Sequence, residues 1–336
     1  MNPIIERNTY FDFLRGIAIV MVIGIHTFSY SNGNFRSAMG YINVLIRQIL
    51  NSAVPLFLAI SGYFLANKDL SDKEKRLTFW KHQIPKVYMP TLIWGVPWLC
   101  LAIYDGKSTI LSILLWVVCG LSIFYYIALI VQYYLLLPII QEVTNPIRLK
   151  WGMLLSFLIS IVSIVLVTWI RAFQGKTLPL IVYAGPFPVW LMFFVLGVTI
   201  AKSKRDYKLV WGLLAAVASL LLQLLEVYYL ESISASGMGI KISSFLFSAS
   251  IIVVLFSKKL ECSFNSANPL NKSMVWIGSL SFGMYLSHML VYWILKKWCY
   301  FDGWYMRWIV VLLLDVVFVV ALKSILPKKF IKLLGL

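Results

Sequence analysis

The stretch FDFLRGIAIVMVIGIHTF, residues 11–28, decides the fold because it is an apolar run long enough to cross a membrane. Arg15 and His26 lie within this run, eleven positions apart. At about 100° per residue, eleven steps come to about 20° past three full turns, so both side chains lie on one helix face, about 16 Å apart. Ionisable groups within a membrane span are costly and usually face a bundle interior or a water-filled cavity. The spacing therefore indicates a reaction site inside the membrane.

The rest of the chain has the composition of a membrane protein. Its 336 residues are 61% hydrophobic and the mean hydropathy is +0.85, whereas soluble domains average about 45–50% apolar residues. We predict an all-α, polytopic membrane helix bundle of about ten transmembrane helices, forming a single domain over residues 1–336. The predicted spans are about 11–30, 42–66, 88–104, 122–141, 151–170, 187–201, 209–227, 242–257, 275–295 and 306–324.

The net charge of +17 comes from basic residues in short loops, where they set topology and meet anionic headgroups. We therefore expect contacts with membrane lipids and no nucleic-acid partner. With the N-terminus in the cytoplasm, 20 Lys and Arg residues fall on the inner side and 9 on the outer side, including Arg47, while Arg15 is in the membrane. The asymmetry predicts that both termini are cytoplasmic and that the short apolar segment 110–119 does not cross.

The first span carries three residues suited to chemistry. Neutral imidazole accepts protons near physiological pH, so His26 is a candidate general base. Arg15 can bind a phosphate or carboxylate in a forked geometry, and Asp12, three residues earlier, can orient it. The alternative is an interfacial ion pair between Asp12 and Arg15 together with a hydrogen-bonded core histidine. The four cysteines have no metal-like spacing, and we expect no metal.

Further candidates lie in later segments. Pro55 can kink the second span, where Gly62 permits close helix approach. Lys81 and Lys86 precede the third span at the membrane surface and can hold the phosphates of a nucleotide-type donor, with Pro85 interrupting the helix between them. The alternative is the rule that cytoplasmic loops are basic, which by itself would place lysines here.

The fourth and ninth spans add polar and aromatic groups. Tyr125 and Tyr126 lie near the outer interface, where they either stack on a sugar or belong to an aromatic belt. Gln132 needs a hydrogen-bond partner inside the bundle. His288 is either a second functional imidazole or a structural one bonded across helices. Asp315, in the last span, needs a cation or hydroxyl from a neighbouring helix.

Together these segments resemble the acyltransferase-3 family of integral membrane O-acyltransferases. The first resemblance is the pair Arg15 and His26 with ten residues between them. Residues 57–63, FLAISGY, are similar to the family's F-x-I-S-G-Y pattern with one extra residue, and residues 281–288, SFGMYLSH, to its S-F-x-x-Y-L-x-H pattern. In the basic stretch 81–90, Lys81 and His82 stand where the family often has arginines, which leaves donor recognition there to charge alone. Residues 124–138 resemble the small members that modify exopolysaccharides.

The resemblance implies an enzyme that moves an acyl group from a cytoplasmic acyl-CoA to a hydroxyl of a cell-surface polysaccharide or lipid-linked sugar. Acetyl is the commonest acyl group in the family, and succinyl is the alternative. The implied catalytic residues are His26, Arg15 and Asp12; those for the donor are Arg15, Lys81, Lys86, Ser61 and Tyr63; those for the acceptor are Tyr125, Tyr126, Gln132 and His288.

The same resemblance implies a multi-pass protein of the cytoplasmic (inner) membrane that works with polysaccharide-synthesis partners. Larger family members carry a fused esterase-like domain. Because about a dozen residues follow the last predicted span, we expect this chain to complete transfer in the bundle or to pass the acyl group to a separate protein. The rival interpretations are an exporter or flippase for a polysaccharide or lipid-linked sugar, and a sensor or scaffold.

Overall fold

The structure is a computed structural model that describes residues 8–29, 37–173, 179–203, 208–233, 237–299, 301 and 303–336. Five basic residues of the charge count lie outside these ranges: Arg7, Arg36, Lys176, Lys204 and Arg205. The described residues form fifteen α-helices, and a π-helical turn at Trp169–Phe173 continues the seventh. The helices are α1 Thr9–Thr27, α2 Ala38–Leu50, α3 Ala53–Leu65, α4 Lys73–Tyr104, α5 Thr109–Val117, α6 Tyr125–Val143, α7 Leu149–Thr168, α8 Leu180–Ala184, α9 Phe187–Lys202, α10 Leu209–Ser232, α11 Ile242–Leu255, α12 Lys258–Ser263, α13 Pro269–Trp298, α14 Trp304–Ile325 and α15 Lys328–Leu333.

Eight helical segments of the described chain are long and apolar enough to cross a membrane, with Ala38–Leu65 counted as one. Two shorter apolar helices, Phe187–Lys202 and Ile242–Leu255, correspond to the other two predicted spans. The prediction of an all-α, polytopic membrane bundle is therefore confirmed.

The direction of the helices follows from contacts between α1 and α14. The Trp308 indole N–H donates to the Val20 carbonyl at 2.9 Å, and the rings of Phe28 and Trp304 lie 5.0 Å apart. The last turns of α1 thus meet the first turns of α14, so the two helices are antiparallel. The start of α1 and the end of α14 share one end of the bundle, called here the inner end. The opposite end is the outer end.

Two helix pairs pack with their backbones in contact, and glycine makes each approach possible. A Cβ atom built on Gly278 of α13 would lie 1.8 Å from the Asp12 carbonyl oxygen of α1. On α3, a Cβ atom at Gly62 would lie 2.0 Å from the Phe194 carbonyl oxygen of α9. Any side chain here would force the helices apart, because no real Cβ contact is this short. The predicted close approach at Gly62 is present.

The second predicted span is broken into α2 and α3 at Asn51 and Ser52. In an unbroken helix the Asn51 carbonyl would accept the N–H of the residue four positions later, but that residue is Pro55, which has none. Pro55 itself lies in the first turn of α3, where proline is tolerated. The break places Asn51 inside the bundle rather than in a regular helix.

The helix α4 differs from the sequence-based expectation. It runs unbroken from Lys73 to Tyr104 through three prolines, so the expectation that Pro85 interrupts the helix is wrong. Two contacts favour the longer helix. The Asp72 side chain caps its first turn by accepting the Lys75 N–H at 2.8 Å, and the Trp80 indole N–H donates to a carbonyl of α6 at 2.7 Å. Packing against α6 thus outweighs the helix-breaking tendency of proline.

The segment 110–119 is a short helix that packs along α4. Of its nine residues, Trp116 donates its indole N–H to the Leu92 carbonyl at 2.8 Å, and the Tyr88 hydroxyl donates to the last carbonyl of the helix at 2.7 Å. The chain then turns into α6 through Cys119 and Ser122, whose φ values are 54° and 53°. Left-handed residues other than glycine are strained, so the turn is held by its surroundings. At nine residues α5 is not among the helices long enough to span a membrane, and most of its apolar side chains are exposed.

Candidate active site

A cavity of about 460 Å³ lies inside the bundle, and both Arg15 and His26 of α1 line it. Its wall also includes the break between α2 and α3, the start of α6, and parts of α8, α11 and α13. Side chains from both buried apolar clusters of the bundle contribute, among them Phe245 and Tyr285. A base and a cation that share one helix face therefore also share one cavity, as the spacing of the first span predicts.

Toward the inner end, the cavity wall carries Arg15. Its guanidinium donates to the Asp12 carboxylate at 2.7 Å and lies 5.1 Å from the centre of the Phe64 ring. The Asp12 side chain is 3% exposed, whereas that of Arg15 is 35% exposed. The buried carboxylate therefore fixes one side of the guanidinium, and the other N–H groups stay available to a ligand.

Toward the outer end of α1 lies His26. Among the described residues, no hydrogen bond to either of its ring nitrogens is formed. Its ring centre is 5.4 Å from that of His288 on α13, at an angle of 39°. An imidazole that faces a cavity without a structural hydrogen bond has a nitrogen free to take a proton.

His288 is buried behind His26. Its Nδ1 lies 2.9 Å from the Met284 carbonyl oxygen, and since a carbonyl only accepts, the proton of the neutral ring is on Nδ1. Its Nε2 is buried and has no partner among the described residues. His288 does not line the cavity itself. His288 therefore contacts the His26 ring from outside the cavity.

Asp315 finds a hydroxyl partner of the kind that the sequence predicts. The Ser287 hydroxyl of α13 donates to one Asp315 carboxylate oxygen at 2.6 Å, and the other oxygen is buried without a partner among the described residues. This contact ties α13 to α14 within the bundle.

The outer half of the cavity is lined by Arg47 and Asn51 around the helix break and by the phenol rings of Tyr125 and Tyr183. The Arg47 guanidinium donates to the Asn51 side-chain oxygen. The Arg171 guanidinium lies 4.2 Å from the centre of the Tyr183 ring. This half therefore contains aromatic rings and a cation, which together suit a polar ring-shaped ligand.

A sequence profile of the acyltransferase-3 family, described as an acyltransferase domain, matches residues 8–324 of the 336-residue chain. The chain belongs to the acyltransferase-3 family. It is a multi-pass membrane acyltransferase, and the matched region contains every residue that lines the cavity. The comparisons with curated proteins and with solved structures give no match.

Three more of the predicted donor and acceptor residues of this acyltransferase line the cavity: Ser61, Tyr125 and Tyr126. The Ser61 hydroxyl donates to the carbonyl of Phe57 at 2.9 Å, and Tyr126 lies beside Ser61. Ser61 and Tyr126 connect the inner half of the cavity to the outer half, since Tyr126 also interacts electrostatically with Arg15.

Two other predicted site residues, Tyr63 and Gln132, contact neighbouring parts of the bundle and do not line the cavity. The Tyr63 ring stacks on Phe11 at 4.5 Å, off the cavity. Gln132 donates to the Gly185 carbonyl at 2.9 Å and accepts the Phe187 N–H at 3.1 Å, so it joins α6 to the segment between α8 and α9. The structure places both residues in the framework around the cavity.

The predicted basic residues Lys81 and Lys86 are exposed on α4 and do not line the cavity. The nearby loop carries its own acids. Lys75 donates to the Asp69 carboxylate at 2.7 Å, and this hydrogen bond lowers the pKa of Asp69 to about 2. The positive charge of the loop is thus partly neutralised, and Arg15 is the cation that reaches the cavity from the inner half.

Sequence reasoning missed Arg47, Asn51 and Tyr183 as cavity residues. Arg47 carried a usable signal, because it is a cation within the apolar stretch of α2. Among the described residues, no cluster of three or more His, Cys, Asp or Glu side chains has the arrangement of a metal site.

Proposed function

We propose that this acyltransferase moves an acyl group from a cytoplasmic acyl-CoA to a hydroxyl of a cell-surface polysaccharide or lipid-linked sugar, with His26 as general base. The observation that carries the proposal is the cavity shared by Arg15 and His26. The proposed acyl group is acetyl, with succinyl as the alternative. Because acyl-CoA is a cytoplasmic compound, we place the inner end in the cytoplasm and the protein in the inner membrane.

The donor side of the proposal rests on Arg15. Acyl-CoA carries several phosphate groups, and a guanidinium held on one side by a buried carboxylate is suited to bind such a group in a forked geometry. Lys81 and Lys86, exposed on the inner part of α4, add a positive field that draws an anionic donor toward the membrane surface.

The chemistry needs one proton acceptor between the two reactants. A ring nitrogen of His26 takes the proton of the acceptor hydroxyl as the oxygen attacks the thioester carbonyl carbon. The carbon–sulfur bond then breaks, and the thiolate leaves with the proton from the imidazolium. The products are an ester and free CoA, and His26 returns to its neutral form. A positioned base contributes about 10²–10⁴-fold to such a step.

The acceptor side of the proposal rests on the aromatic rings of the outer half. Tyr125, Tyr126 and Tyr183 line the cavity, and sugar rings stack on aromatic rings of this kind. A sugar bound there has its hydroxyls near the outer part of α1, where His26 lies.

The test uses the full chain in lipid nanodiscs with acetyl-CoA and a panel of oligosaccharides. The readouts are free CoA thiol and an acceptor heavier by one acetyl group. We expect the His26→Ala variant to lose at least about 100-fold in rate while keeping its thermal unfolding temperature. The control is His82→Ala, which removes an exposed histidine away from the cavity and should keep the wild-type rate. Equal activity of His26→Ala and wild type would remove His26 from the mechanism.

The same assay separates a transferase from an exporter or flippase. A transporter would leave acetyl-CoA intact and move a labelled lipid-linked sugar between leaflets. Release of CoA that depends on both acceptor and His26 is the outcome that we expect.

A further inference from the structure

The outer half of the cavity contains a guanidinium with no counter-ion among the described residues. Arg47 lines the cavity in the last turn of α2, and its hydrogen bond goes to the neutral side chain of Asn51. The ion pairs of the described residues involve Arg15 and Lys75, not Arg47. Burying a cation inside a membrane bundle without an anion costs free energy. An anionic ligand bound at Arg47 would remove this cost.

The neighbouring charged groups do not supply that anion. Glu226 accepts both the backbone N–H and the hydroxyl of Ser243, and Lys241 donates its ammonium group to Gln48. Arg171 lies over the Tyr183 ring, which adds positive charge near the same wall. The described groups around Arg47 therefore leave this end of the cavity electropositive.

Arg47 is also close to the reaction centre. It lies near enough to His26 for their charges to interact, and both side chains line the same cavity. A group bound by Arg47 thus lies beside the bond that is made or broken, if the proposed function is correct. A single guanidinium fork with one amide neighbour suits a monoanion, and carboxylate matches that fork.

We propose that Arg47 and Asn51 form a carboxylate-binding subsite for one of the two reactants. This inference rests on the proposed transferase function and specifies its substrate class. The carboxylate has two possible carriers. It is the far end of a dicarboxylic acyl group, such as succinyl, or it belongs to an acidic sugar of the acceptor.

The experiment measures binding to the full chain in nanodiscs by calorimetry and therefore does not require turnover. The donor arm compares succinyl-CoA with acetyl-CoA, and the acceptor arm compares a uronic-acid oligosaccharide with its neutral counterpart. In one arm, wild type should prefer the carboxylate-bearing probe by about tenfold or more, as expected for a charge-assisted hydrogen bond. The Arg47→Gln variant should lose this preference and bind the neutral probe as wild type does. Arg47→Lys should keep part of the preference, because it keeps the charge and loses the fork.

Arg307→Gln is the matched control. Arg307 is a half-buried arginine at the outer end, bonded to the Tyr292 hydroxyl at 3.3 Å, and it does not line the cavity. This variant should keep the wild-type preference.

The outcomes are distinct. A preference in the donor arm that Arg47→Gln removes assigns the carboxylate to the acyl group, and the same result in the acceptor arm assigns it to the sugar. Wild-type protein with no preference in either arm overturns the subsite, even where Arg47→Gln does not fold. A failure of the proposed function looks different, because then no donor releases CoA whether or not a carboxylate is preferred.

Discussion

The contact between α1 and α13 gives a prediction whose size follows from the structure. Replacing Gly278 by alanine adds a Cβ atom 1.8 Å from the Asp12 carbonyl oxygen and 3.0 Å from the Gly16 nitrogen. Ordinary contacts begin at 3.4 Å, so the two backbones must separate by about 1.6 Å. The atoms that the new Cβ meets all belong to the backbone of α1, which cannot rotate away as a side chain can. We expect a loss of stability near the upper end of the range for overpacking, about 3 kcal/mol.

The same displacement acts on the chemistry. Asp12 holds Arg15, and α1 and α13 bring the rings of His26 and His288 to 5.4 Å. A misplacement of about 1 Å in a reacting group can cost about 100-fold in rate. We therefore expect Gly278→Ala to lose at least this much in CoA release, measured on protein that is still folded below its lowered unfolding temperature.

A matched control lies on the same helix. A Cβ atom at Gly283 would lie 2.9 Å from the end of the Leu336 side chain, which can move, and 3.3 Å from the Val319 side chain. The backbone atom that it meets, Leu336 Cα, is in ordinary contact at 3.7 Å. Gly283→Ala should therefore unfold and react nearly as wild type does. If Gly278→Ala were as stable and as active as Gly283→Ala, the tight backbone contact would not exist and the reasoning would be wrong.

Two further predictions follow from the site and its framework. Arg15→Lys should raise KM for acyl-CoA about tenfold or more in steady-state assays. The double variant Lys81→Gln, Lys86→Gln should change KM less and mainly at low salt, because these lysines are exposed and do not line the cavity. A larger KM effect from the lysine pair would contradict the assignment of Arg15 as donor anchor. Ser287→Ala should lower stability by about 1–3 kcal/mol in thermal unfolding, because it leaves Asp315 with neither carboxylate oxygen bonded to a described residue. Unchanged unfolding would show that Asp315 has another partner.

The sequence predicts the bundle well because a membrane span must be both long and apolar, and that pattern is local. Prediction from the sequence is wrong where packing between helices determines the length of a helix. The span 88–104 is the outer part of a helix that starts at Lys73, because contacts with α6 stabilise a proline-containing segment that looks like a loop. The break at Asn51 is closer to prediction, since a proline four residues later removes one helical hydrogen bond in any context.

For the cavity, the sequence identifies relationships within one helix and misses those between helices. Arg15 and His26 share a face because they are eleven residues apart, and both line the cavity. Arg47 faces the same space from α2, but the charge count assigns it to the outer side with the loop residues. Gln132 and Tyr125 lie on one helix, yet one bonds the α8–α9 segment and the other lines the cavity. Which of two polar residues faces a ligand depends on the neighbouring helix.

The packing of the bundle bears on the choice between a transferase and a transporter. A transporter that alternates its access must let one part of the bundle move against another around the cavity. Here Arg15 and His26 lie on α1, whose backbone contacts α13 at Gly278, and Ser61 lies on α3, whose backbone contacts α9 at Gly62. Sliding either pair by a fraction of a turn would drive side chains into these contacts. Each pair therefore holds its own cavity residues in a fixed arrangement, Arg15 and His26 on one and Ser61 on the other. A reaction needs such rigidity, because the reacting groups must be held within a fraction of an ångström.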